Sequence, residues 1–84
     1  MIKRDEYFVY VLYSEVHKRI YIGHCKDLKL RFKQHNKGRV PSTRPYLPYV
    51  LIYSEELRSK SEAVLREKYL KTSTGRRFVK QFIR

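Results

Sequence analysis

A chain of 84 residues with 20 lysines and arginines against 8 acidic residues carries a formal charge of +12, and a chain this short has room for one core, since it buries only about 60 to 65% of its unfolded surface. Three glycines, three prolines and one cysteine exclude collagen-like and disulfide-built classes, while 42% hydrophobic and 14% aromatic residues suffice for a small folded core. No apolar run nears the roughly 18 residues of a membrane span, and Met1 to Glu6 do not lead into the apolar stretch of a signal peptide, so a cytoplasmic, reducing setting with no membrane partner is expected.

Tyr7-Phe8-Val9-Tyr10-Val11-Leu12-Tyr13 is aromatic and β-branched, which predicts a strand. A mostly polar link, Ser14 to Lys18, leads to Arg19-Ile20-Tyr21-Ile22-Gly23, a second strand closing an antiparallel hairpin. From Asp27 the period changes. Leu28 and Phe32 lie one helical turn apart, Asp27 is placed to cap the start, and Asn36 to Gly38 marks the stop. Arg39 to Pro48, with Pro41, Pro45 and Pro48, predicts a surface loop. Tyr49 to Tyr53 has strand length. Ser59-Lys60-Ser61-Glu62 fits a capping box for a helix continuing from Ala63 to Lys71. Ser73-Thr74-Gly75 is expected to break that helix, with a last short helix over Arg76 to Arg84. These elements predict a single α+β domain over residues 1–84, with a three-stranded antiparallel sheet flanked by about three helices in the order β-β-α-β-α-α.

The charge is uneven along the chain. Residues 1–25 and 45–70 are nearly balanced, whereas Lys26 to Arg44 holds seven basic residues against Asp27 alone and Lys71 to Arg84 holds five against none. Solubility alone seldom needs a net charge beyond about 8, so the two basic segments predict a polyanionic partner, nucleic acid before membrane. The expected contacts are His24, Lys26, Lys33, Lys37, Arg39, Arg44, Lys71, Arg76 and Arg77.

Three features stand apart from this pattern. Ala63, Val64 and Leu70 define an apolar arc on the later helix, and Glu67 falls within it. A carboxylate turned to a core is neutral, paired or metal-bound, and Arg66, Lys68 or Lys71 offers pairing at the edge. Arg31 and His35 are spaced i, i+4, so they share a helix face and combine a bidentate phosphate ligand with a group that exchanges protons near neutrality. The plain alternative is a solvated face. Eight tyrosines accompany no tryptophan, and Tyr10 and Tyr21 fall on the paired strands, whereas Tyr49, Tyr53 and Tyr69 read as core fillers with a wet hydroxyl. One cysteine and three histidines cannot close a structural zinc site, the glycines are isolated, and Cys25 reads as a small buried residue.

Taken in order, Phe8-Val9-Tyr10, then Tyr21-Ile22-Gly23, Arg31 with His35, and Glu67 on a later helix, the chain resembles the GIY-YIG nuclease superfamily from about Tyr7 to Phe82. Asp27 to Asn36 and Arg66 to Lys71 look like its small stand-alone bacterial members, similar to the cleavage domain of the bacterial excision-repair nuclease. The resemblance implies Tyr10 and Tyr21 as the motif tyrosines, Arg31 as the helix arginine, His35 as the histidine that some branches place one turn later, and Glu67 as the ligand of one divalent cation, magnesium or manganese. On that basis Tyr10 positions or deprotonates the attacking water, Arg31 offsets transition-state charge and Glu67 holds the metal. Departures from the pattern are Phe8 for the first-motif glycine, His24 where the excision-repair branch often has lysine, and Cys25 for a frequent threonine. Only Ser73, Thr74 or Gln81 stands where several branches carry asparagine.

The leading expectation is a magnesium-dependent endonuclease on DNA with low intrinsic sequence specificity, in repair or recombination, its target choice left to a protein partner. The alternative is a non-catalytic or partner-dependent module that binds DNA or RNA.

Overall fold

The computed structural model describes residues 6–83. Met1 to Asp5 and Arg84, and with them most of the segment read for a signal peptide and the end of the second basic segment, lie outside the described residues. The strand predicted first, β1 (Tyr7–Ser14), is central. It pairs antiparallel with both β2 (Arg19–Cys25) and β3 (Val50–Leu57), giving the sheet order β2-β1-β3. Helix α1 (Leu28–Asn36) covers one face with the following loop, and α2 (Lys60–Leu70) and α3 (Ser73–Lys80) cover the other. A central strand packed on both sides has no solvent face, which is why β1 reads as an unbroken apolar run. Val9, Val11, Ile22, Ala63, Leu70 and Val79 form the core on the α2 side, while Tyr10, Leu12, Cys25 and Tyr49 form it on the α1 side. Truncating a wholly buried residue such as Leu12 to alanine costs about 2 to 5 kcal/mol. The α+β order β-β-α-β-α-α is therefore as expected.

The local start and stop signals act largely as read. Asp27 Oδ1 accepts from the Leu30 amide at 3.0 Å, and α1 ends in a Schellman arrangement: Gly38, at φ 73°, donates to His35 O and Arg39 donates to Gln34 O. Ser59 Oγ accepts from the Glu62 amide at 3.2 Å, but the Glu62 carboxylate accepts from Arg58 N–H rather than from the cap's own amide.

Several boundaries differ from expectation, among them the end of the last helix, which stops at Lys80. β3 runs on to Leu57 and begins after Tyr49, because an edge strand tolerates polar residues and Glu55 is held by Tyr53 Oη and Arg66 Nε at 2.7 and 3.0 Å. A 3-10 turn, Arg44–Tyr46, interrupts the expected loop. The break between the last two helices falls at Lys71–Thr72, not at Ser73 to Gly75. Thr72 Oγ1 caps α3 by accepting from the Gly75 amide at 3.2 Å, and Gly75 sits inside α3 because a Cβ there would collide with Tyr69 O and the Leu70 backbone. Among the described residues no helix is long and apolar enough to cross a membrane.

Candidate active site

Successive side chains of β2 point to opposite faces of the sheet, so Tyr21, Gly23 and Cys25 face α1 while Ile22 and His24 face α2. The register sets Tyr10 directly across from Gly23. A Cβ on Gly23 would lie 2.8 Å from Tyr10 Oη and 3.0 Å from Tyr21 Cε2, so the absence of a side chain there lets both phenol rings close over the strand. The Tyr10 and Tyr21 ring centroids are 6.1 Å apart.

His35 enters from α1 and completes this group. Its ring lies 5.7 Å from Tyr10 and 4.9 Å from Tyr21, and its Nε2 is 2.9 Å from Tyr10 Oη. Its Nδ1 is 2.8 Å from Thr43 Oγ1, and the hydroxyl of Thr43 donates to Val40 O at 3.3 Å. His35 and Thr43 are both 0% exposed. His35 is therefore core and Arg31 half-buried at the rim, so the plain alternative of a shared solvated face does not describe the pair. Arg31 lines a cleft of about 190 Å³ with Cys25, Lys26, Asp27, Leu30 and Gln34.

Burial dominates the titration of this group. It pushes the Tyr10 hydroxyl far above the ordinary phenol range, reinforced by Tyr21 and Cys25, and Arg31 opposes it only in part. Burial, with Arg31 adding to it, holds His35 below the ordinary imidazole value. The Cys25 thiol is pushed up by burial. His35 is accordingly a neutral ring near pH 7, a hydrogen-bond partner for Tyr10 rather than a cation beside it.

Glu67 forms a second cluster on the α2 face. Its side chain is 19% exposed, with Oε1 2.6 Å from His24 Nδ1 and Oε2 2.8 Å from Lys71 Nζ. Burial raises the Glu67 pKa, but the hydrogen bonds from Lys71 and His24 outweigh it and hold the carboxyl below the usual range. The position in the apolar arc is thus resolved by pairing with Lys71, one of the three partners considered, and with His24, which sequence did not single out as a partner. Among the described residues no three His, Cys, Asp or Glu side chains converge on a metal position. Glu67 nonetheless suits magnesium: it is ionised, partly open, and His24 and Lys71 take about two of its four lone-pair directions. Magnesium commonly takes one or two carboxylates and fills its shell with water and substrate phosphate.

Of the expected nucleic-acid contacts, Lys26, Lys33, Lys37, Arg39, Arg44, Arg76 and Arg77 are exposed, and Arg76 Nε also donates to Lys71 O. His24 and Lys71 turn to Glu67 instead. Thr43 was missed in the sequence, where it reads as one polar residue among prolines. So was Asn36, whose side chain pairs with both Tyr49 N–H and Tyr49 O at 3.0 and 3.1 Å and ties the loop to α1.

The GIY-YIG catalytic domain model matches residues 6–81. A UPF0213 protein of Staphylococcus aureus strain Mu3 is 37% identical over 71 residues, covering 83% of this chain and 85% of that protein. UPF0213 proteins of strains Mu50 and N315 match with the same 37% identity and the same 83% and 85% coverage. No solved structure matches the chain.

Proposed function

The chain belongs to the GIY-YIG catalytic domain family, a nuclease family generally dependent on divalent metal, and from that premise we propose that it is a magnesium-dependent endonuclease that hydrolyses phosphodiester bonds of DNA with little intrinsic sequence preference. The observation that carries the proposal is the 2.9 Å contact between Tyr10 Oη and His35 Nε2, both buried, with the half-buried Tyr21 ring against them and Arg31 at the rim.

In this reading Tyr10 accepts a proton from the water that attacks phosphorus and passes its own hydroxyl proton to His35 Nε2. The ordinary pKa values of the two groups differ by about 3.5 units, roughly 5 kcal/mol, and burial widens the gap. A resting phenolate is therefore too costly, and the proton moves only as the water attacks. Tyr21 holds the water from the other side. Arg31, at the mouth of the cleft, offsets the charge of the pentacovalent transition state. Glu67 would hold one magnesium or manganese ion, which when bound neutralises a phosphoryl oxygen and stabilises the leaving 3′ oxygen. The exposed cations of α1, the loop and α3 hold the backbone without reading bases, so affinity should fall steeply as salt rises. A role in repair or recombination, a cytoplasmic setting and a protein partner that chooses the target belong to the same proposal.

The test is a cleavage screen with magnesium over single-stranded, duplex, flap and four-way DNA, with an RNA arm, comparing wild type with Glu67→Ala. Metal-dependent cutting that Glu67→Ala abolishes is expected. Cutting unaffected by Glu67→Ala would sink the assignment. One observation favours a second reading, a module that binds nucleic acid without cutting it: both Glu67 oxygens are already engaged, at 2.6 and 2.8 Å. That reading wins if magnesium fails to bind in a calorimetric titration and Glu67→Ala leaves DNA affinity and cutting unchanged.

A further inference from the structure

Thr43 belongs to no motif and carries no charge, yet it is one of the wholly buried polar residues, and its hydroxyl touches the histidine behind Tyr10. A buried neutral imidazole has one donor nitrogen and one acceptor nitrogen, and both need partners. His35 has one partner at each: Tyr10 Oη at Nε2, 2.9 Å away, and Thr43 Oγ1 at Nδ1, 2.8 Å away. The choice of which nitrogen holds the proton therefore rests with these two hydroxyls.

The Thr43 hydroxyl has a single proton and two groups in reach: Val40 O at 3.3 Å, which can only accept it, and His35 Nδ1 at 2.8 Å, which can itself donate, and the proposal places the proton toward Val40 O. What faces His35 Nδ1 is then a lone pair, so Nδ1 carries the ring proton and the lone pair of Nε2 faces the Tyr10 hydroxyl. Every proton then points the same way, from Tyr10 to His35 to Thr43 to the Val40 carbonyl. We propose that Thr43 is a positioning residue that sets the tautomer of His35, keeping Nε2 free to accept the proton of Tyr10. This rests on the reading of His35 as the acceptor in DNA cleavage.

The loop around Thr43 is built to hold it. Thr43 N–H and Arg44 N–H both donate to Val40 O, at 3.1 and 3.0 Å, which closes a turn under the side chain. On the far side, the Arg19 guanidinium lies 4.0 Å over the Tyr46 ring and anchors the 3-10 turn to the β1–β2 hairpin. Asn36 then fixes Tyr49 at the loop's end. These contacts explain why a segment with three prolines, which form few backbone hydrogen bonds of their own, delivers one hydroxyl to one ring nitrogen. With a methyl group in place of Oγ1, the buried Nδ1–H has no acceptor. The ring then favours its proton on Nε2, pointing at Tyr10, and the accepting lone pair is lost.

The experiment has two arms, using the full chain. In the first, ¹⁵N NMR of the His35 ring, without DNA or metal, reads the tautomer in wild type, Thr43→Ser and Thr43→Val. The Nδ1–H form is expected in wild type and Thr43→Ser, and a shift toward Nε2–H in Thr43→Val. In the second, single-turnover DNA cleavage with magnesium should slow about 100-fold in Thr43→Val, with DNA affinity unchanged and most of the rate restored in Thr43→Ser. An Nε2–H ring in the wild type overturns the proposal. So does a slow Thr43→Val variant whose tautomer is unaltered, because that marks a merely structural role. A wild type that cuts no DNA counts against the nuclease reading instead, and the NMR arm still decides the role of Thr43.

Discussion

The two faces of β2 carry polar groups of opposite character. Toward α1, Tyr10, His35 and Thr43 form an uncharged chain of buried hydrogen bonds, with the half-buried Tyr21 ring packed against it. Toward α2, Glu67 bonds to both His24 and Lys71 in a cluster whose members range from 19% to 49% side-chain exposure. The difference is one of rigidity against exchange. A buried chain fixes each proton, since any unpaired member costs the full desolvation of a polar group. A partly exposed ion pair gives up a partner at little cost, as a carboxylate must if it is to accept a cation and a phosphate.

The largest expected effect is on the buried side. His35→Ala leaves a cavity and deprives Tyr10 and Thr43 of their shared partner, which should cost about 3 to 5 kcal/mol. Glu67→Ala, by contrast, should cost about 1 kcal/mol or less. Thermal or urea unfolding of the two variants measures the contrast, and equal losses would erase it. Gly23→Ala comes next. The new methyl group drives Tyr10 and Tyr21 apart, so a loss of about 1 to 3 kcal/mol is expected with a fall in any cleavage rate.

Acid separates the two groups at different pH. Both His35 and Glu67 have folded pKa values below their unfolded ones, so in each case the unfolded chain binds the proton first and stability rises with pH across the window. The contribution of His35 is complete above about 6.5 and is lost as pH falls from there toward its folded value. That of Glu67 is complete above about 4.5 and is lost only below it. Stability measured from pH 8 to 3 should therefore fall in two stages, the first missing in His35→Gln and the second in Glu67→Gln. The smallest effect lies away from both groups. Lys18 sits at φ 56° in the β1–β2 turn, and Lys18→Gly should stabilise the chain by about 0.5 to 1 kcal/mol without touching either.

How far each face was legible in the sequence follows the same division. Glu67 stood out because helical periodicity is local: a carboxylate in an apolar arc is visible without tertiary structure. β1 was legible because its apolar run is unbroken, and Asp27 and Ser59 because caps act within one turn. Thr43 left no such mark, since its role depends on how the loop folds back on Asn36 and on Arg19 of β2, which no local pattern reveals. Gly75 was misread as a breaker for a related reason. Only its close approach to Leu70 in the folded chain explains a glycine inside α3. The burial of His35 was not legible, because spacing on one helix puts it on a face with Arg31 but does not say what covers that face.

The central claim is that the buried Tyr10–His35 pair moves the proton of a hydrolytic reaction. Single-turnover cleavage of end-labelled DNA in magnesium, by wild type and by Tyr10→Phe matched for folding and DNA affinity, tests it most directly. The account predicts that wild type cuts and that loss of this one oxygen slows the chemical step by about 10² to 10⁴-fold. Equal rates for the two proteins would contradict it.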